Sequence, residues 1–150
     1  METPIKTYRF EDEYGDFINN RGKNASHGVE SFREDIINHA LISSAVGPLE
    51  SMTEMSLFTP EEALTRASKG LNKALAFVDN IPSQYLNEDS KKLKDDIVIK
   101  LERLIDNLQQ IYKVKDKIST EELRAQVRVV TEEIKEISRE IFSINLISQE

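Results

Sequence analysis

Two histidines, His27 and His39, are the side chains best suited to acid–base or metal chemistry in this sequence. Imidazole titrates near neutrality and is the commonest metal ligand. His39 falls in a helical pattern beside Ile36, Ala40 and Ser43, which predicts a partly buried structural histidine. His27 sits in a polar stretch containing glycine and is expected to be solvated. A di-iron centre in a helical bundle needs Glu-x-x-His pairs on facing helices, because residues three apart project together into the core. No Glu-x-x-His occurs, and the absence of cysteine removes thiolate catalysis and Cys-ligated metals. No cofactor and no metal are expected.

Each histidine follows an arginine at a separation of six: Arg21 with His27, and Arg33 with His39. This spacing resembles the Arg-x(4–6)-His motif of the helical HEPN-type ribonucleases. The resemblance implies RNA cleavage by one of these Arg/His pairs, and it covers only two short segments. Six residues along an α-helix rotate the second side chain by roughly 240°, so Arg33 and His39 do not share a helical face. A small HEPN-like ribonuclease therefore stands second to a non-enzymatic expectation.

Other chemistry lacks a frame. No Gly-x-Ser-x-Gly turn surrounds a serine, and the glycine-rich phosphate loops are missing. Neighbouring carboxylates such as Asp95/Asp96 and Glu132/Glu133 point about 100° apart on a helix, as solvated surface does. Lys91, Lys92 and Lys94 lie about 30 Å from the Lys113–Lys117 group along a helix rising 1.5 Å per residue, so they cannot form one basic patch.

The elements that must position any site are helices. Ser119-Thr120-Glu121-Glu122 is a capping box, followed by Leu123, Val127, Val130, Ile134, Ile137, Ile141 and Ile144 in alternating steps of four and three. That stripe predicts a helix over about Thr120 to Leu146. A second stripe, Leu93, Ile97, Leu101, Leu104, Leu108 and Ile111, predicts a helix from Asp89 or Ser90 to about Val114, with Asp95 and Asp96 pairing to Lys91 and Lys92. The short link from Lys115 to Ser119 makes these two antiparallel neighbours. Thr59-Pro60-Glu61-Glu62 opens a third helix with Leu64, Ala67, Leu71, Ala74, Val78 and Ile81 on one face, stopped by Asn80 and Pro82. The small Ala67 and Ala74 invite close approach of a neighbour. Ser31 to Val46 is expected to be helical and Gly47-Pro48 to break it, with a second short helix from Leu49 to Phe58.

Composition agrees with this pattern. A chain of 150 residues fits one domain. Only 5 glycines and 4 prolines leave long stretches without helix breakers. The net charge of −7 is spread evenly, −4 over residues 1–75 and −3 over residues 76–150, so no half can grip nucleic acid by charge. No apolar run approaches the ~20 residues of a membrane span. The start, METPIKTYRFEDEY, lacks the basic head and apolar run of a signal peptide, which predicts a cytoplasmic protein.

The expected fold is all-α: an antiparallel up-down bundle of about four main helices over residues 31–150, with a partly flexible N-terminal arm over residues 1–30. In that arm Phe10, Tyr14, Phe17 and Ile18 recur at i, i+4, i+7 and i+8, flanked by Glu11, Asp12, Glu13 and Asp16. Such an acid-flanked apolar face suits a basic-rimmed groove. The expected function is a protein-binding or assembly role, as adaptor, inhibitor, chaperone or complex subunit. Phe10, Tyr14, Phe17 and Ile18 are the partner-binding residues. The partner is another protein, or a second copy in a homo-oligomer, with neither nucleic acid nor membrane involved.

Overall fold

The computed structural model describes residues 33–55 and 57–146. They form an all-α bundle. A leading helix is built from a π-helical stretch (Asp35–Val46), a short α1 (Gly47–Glu50) and a second π-helical stretch (Ser51–Met55). It is followed by α2 (Pro60–Asp79), a 3-10 turn (Ser83–Tyr85), α3 (Glu88–Val114) and α4 (Thr120–Ile141).

The three long helices begin where their capping residues require. The Thr59 hydroxyl accepts from the Glu62 N–H at 3.2 Å, with Pro60 at the first helical position. Asn87 Oδ1 accepts from the Ser90 N–H at 2.8 Å. The Ser119 hydroxyl accepts from the Glu122 N–H at 3.1 Å. Each cap satisfies a backbone donor that the helix itself leaves unpaired, worth about 1 kcal/mol. Glu61, Glu62, Glu88, Glu121 and Glu122 place negative charge in the three first turns, where the macrodipole favours it. At the end of α2, Asn80 Nδ2 donates to the Ala76 carbonyl at 2.7 Å.

The apolar stripes become the core. Every residue of the α2 and α4 stripes is buried, and in α3 only Leu93 remains half-buried. Each fully buried Leu or Ile contributes about 1.5–3 kcal/mol of transfer free energy. The helices pack in a ring: the leading helix on α2, α2 on α3, α3 on α4, and α4 back on the leading helix. Cross-helix contacts give the directions. Arg33 reaches Ile144 while Glu54 meets Arg128, so the leading helix and α4 are antiparallel. Lys94 reaches the Ile81 carbonyl and Tyr112 reaches Glu61, so α2 and α3 are antiparallel too.

The leading helix departs from expectation. It runs through Gly47-Pro48, and Gly47 keeps right-handed helical backbone angles (φ −54°, ψ −57°). Its first stretch closes hydrogen bonds five residues apart, as in Gly47 N–H to the Ile42 carbonyl, so each turn is wider than an α turn. Buried residues then come in adjacent pairs, Ile36/Ile37, Ala40/Leu41 and Ala45/Val46. Ser43, expected on the apolar face, is exposed, and its hydroxyl donates to the Asn38 carbonyl at 2.7 Å. An α periodicity misplaces it because the winding is not α.

Two smaller corrections concern α4 and the lysines of α3. The stripe through Ile144 suggested a helix to Leu146, but α4 stops at Ile141. Ile144 is still buried, and Leu146 forms an antiparallel bridge with Leu86. Periodicity alone cannot separate a final helical turn from an extended tail that buries the same residues. The expected pairs of Lys91 and Lys92 with Asp95 and Asp96 also give way: Lys91 pairs with Glu88 at 3.2 Å and Asp96 with Lys100 at 3.2 Å.

Candidate functional site

The groups with the strongest chemistry are not gathered together. His39 is exposed, not half-buried on the apolar face as the α periodicity predicted. Arg33 is committed elsewhere: its guanidinium donates to the Ile144 carbonyl at 2.7 Å and lies 6.0 Å from the centroid of the Phe142 ring. It ties the start of the leading helix to the end of the chain. Arg21, His27, Phe10, Tyr14, Phe17 and Ile18 lie outside the described residues. The buried hydroxyls of Thr131 and Ser138 donate to carbonyls one turn back in α4, at 2.9 and 3.0 Å. Ser90, also buried, accepts from the Asn145 N–H at 3.0 Å. No group of three or more His, Asp or Glu side chains poised for a metal occurs among the described residues.

Two grooves on the surface of the described residues combine apolar and charged lining. One is a cleft of about 420 Å³ between α2 and α3. Leu64 and Leu108 line its floor, Tyr112 one end, and Lys69 and Lys113 its rim. Its origin is local. Thr65, Ser68 and Asn72 recur in steps of three and four on α2, beside the apolar stripe, and all three are short. Asn72 is held down further, its Nδ2 donating to the Ser68 carbonyl at 2.8 Å. Opposite stand the longer Gln109, Tyr112 and Lys113 of α3. Short side chains facing long ones leave a furrow above the packed leucines. This short-residue column runs directly beside the apolar stripe of α2 in the sequence.

The electrostatics of the cleft are one-sided. No carboxylate lines it. Lys69 and Lys113 make no ion pair among the described residues. Lys115 stacks over the Tyr112 ring, 4.2 Å from its centroid, but its charge is met by Asp116 at 3.2 Å, so the uncommitted cations are Lys69 and Lys113. Glu61 stands at the Tyr112 end and accepts from the Tyr112 hydroxyl at 3.0 Å. That hydrogen bond, with desolvation second, raises the Tyr112 phenol above its ordinary pKa.

The second groove, about 350 Å³ between α3 and α4, is mixed in charge: Lys100 and Arg103 face Glu133, Glu136 and Glu140. Lys100 is already bound to Glu140 Oε1 at 2.6 Å and Asp96 at 3.2 Å. The Lys100 ammonium is held above its ordinary pKa, chiefly by the hydrogen bond it donates to Glu140, with burial pulling the other way and Asp96 adding to the rise. Glu140 Oε2 is screened from solvent and has no protein partner among the described residues. The groove is thus largely closed on itself electrostatically, whereas the α2/α3 cleft presents uncommitted positive charge around apolar surface. Comparison of the chain with protein families, with characterised proteins and with solved structures finds no match.

Proposed function

We propose that this protein works by contact, as a helical binding or assembly module whose α2/α3 cleft receives an apolar, acid-flanked segment of a partner protein. The observation that carries this reading is the cleft itself: a leucine floor and a tyrosine wall under a rim of lysines that make no ion pair among the described residues. A helix laid in a groove gains its affinity from apolar anchors and its orientation from flanking charge. Lys69 and Lys113 supply that charge, and their long aliphatic stems extend the apolar walls. A second copy of the chain is one protein able to provide such a segment.

The test uses the full chain in its natural host, with a photoreactive residue placed at Thr65 or Ser68 in the cleft and, as control, at the exposed Val129 of α4. A specific protein adduct is expected from the cleft positions alone, and it is lost when Lys69→Glu and Lys113→Glu are introduced together. Absence of any adduct from Thr65 and Ser68, or equal labelling from Val129, overturns the proposal.

A further inference from the structure

The sequence before Arg33 contains the chemistry this cleft is built to receive. Between Phe10 and Ile18 there are four carboxylates, Glu11, Asp12, Glu13 and Asp16, and no basic residue. Phe10, Tyr14, Phe17 and Ile18 recur at i, i+4, i+7 and i+8, the spacing that one face of a helix requires. The cleft has the opposite charge and a complementary apolar floor. The α3/α4 groove is the poorer match, because three of its lining residues are glutamates and its Lys100 is already paired.

Reach permits the contact. Arg33 lies at the end of the bundle that also holds Ile81, Leu86 and Ile144. From that end, Lys69 is about 15 Å down α2, at 1.5 Å per residue, and the far side of the bundle is about two helix diameters, roughly 20–24 Å, across. The fifteen Cα steps from Ile18 to Arg33 extend to about 50 Å. A tether of this length holds the segment at about millimolar effective concentration, so docking too weak to form between separate molecules is well populated within one.

We infer that residues 10–18 dock into the α2/α3 cleft of their own chain, with Phe10, Tyr14 and Phe17 over Leu64 and Leu108 and the carboxylates against Lys69 and Lys113. The arm is then an internal competitor: a partner takes the cleft only by displacing it. This step rests on the reading of the cleft as a docking site and adds its regulation. It also gives the arm's apolar stripe and the cleft's unpaired lysines one common explanation.

The chain's lack of cysteine makes a single-site label clean. Thr65→Cys carrying a nitroxide is prepared in the full-length protein, and the amide signals of residues 10–18 are followed by NMR in dilute solution. They are expected to lose most of their intensity, to recover when Lys69→Glu and Lys113→Glu are combined, and to recover with Phe10→Ala and Phe17→Ala. The amides of Leu86 and Leu146, bridged at the opposite end of the bundle from Thr65, are read in the same spectra as a check that the bundle stays folded. Full intensity in the labelled wild type overturns the inference. So does broadening that appears only when spin-labelled, isotopically silent protein is mixed with unlabelled, isotope-enriched protein, because the arm would then belong to a second copy. Either result leaves a partner adduct at Thr65 or Ser68 standing, so failure here is distinct from failure of the docking-site reading.

Discussion

Gly70 of α2 lies directly against the Ala40 carbonyl of the leading helix. A β-carbon on Gly70 would come within 2.5 Å of that oxygen and 2.9 Å of Ser44 Cβ. The two helices therefore meet backbone to backbone, flanked by the buried Ala67 and Ala74. Replacing Gly70 with Ala removes a helix-destabilising glycine, a gain of up to about 1 kcal/mol in an unconstrained helix. The opposing term is larger, because the obstacle is backbone and cannot rotate away. Overpacking of this kind costs about 1–3 kcal/mol. Gly70→Ala is expected to lower the urea midpoint, whereas the same change at an open helical site would raise it.

Ala67 and Ala74 announce this close approach in the sequence, but the decisive contact is made by the glycine between them. The same split recurs across the molecule. Heptad stripes and capping boxes made α2, α3 and α4 legible, because each is a local signal read over a few turns. The leading helix was not, since its wider winding changes the period that a reader assumes. That change misassigned Ser43 and His39, whereas the continuity through Gly47-Pro48 was masked by two helix-breaking residue types, with Pro48 accommodated in the first turn of α1. The cleft was half legible: Thr65, Ser68 and Asn72 form a visible column, but its depth depends on which residues α3 sets opposite. Pairing between helices distant in sequence is not written in either helix alone.

Ser90 joins the start of α3 to the tail after α4 by accepting from the Asn145 N–H, next to the Leu86–Leu146 bridge. Ser90→Ala removes that acceptor while leaving the Asn87 cap on the Ser90 N–H intact. A cost of about 1 kcal/mol is expected. Hydrogen exchange should show the loss locally, with faster exchange at Asn145 and unchanged protection in the middle of α4. Uniform loss of protection through α4 would mean that Ser90 supports the whole helix and not the tail.

Arg33 and His39 should behave oppositely. Arg33→Ala forfeits a charged hydrogen bond to Ile144 and contact with Phe142, for about 1–3 kcal/mol. His39→Ala alters an exposed side chain and is expected to stay within about 0.5 kcal/mol of the parent. Thermal unfolding of the two variants checks this directly. RNA cleavage by the parent protein that both substitutions abolish, with His39→Ala still as stable as the parent, would instead favour the ribonuclease reading.

Lys100 provides a pH test whose sign can be worked out in advance. Its ammonium bridges α3 to Glu140 of α4 and pairs with Asp96 on its own helix, and its pKa is raised above 10.5 by these carboxylates. A raised folded-state pKa means that the protonated form is favoured by folding. The stabilisation is therefore complete below the unfolded value and disappears as pH climbs through the folded one. Both partners are partly exposed, so the contribution belongs with surface ion pairs at about 0.5–1 kcal/mol. Tyr112 is also raised, by its bond to Glu61, and would release a proton over the same alkaline range. The comparison is therefore best made in a Tyr112→Phe background. There, Lys100→Met is expected to be less stable than its parent in urea at pH 8, with the gap closing as pH rises above about 10.5. A gap that persists undiminished on the alkaline side would assign the loss to the packing of the lysine stem against α4, and not to its charge.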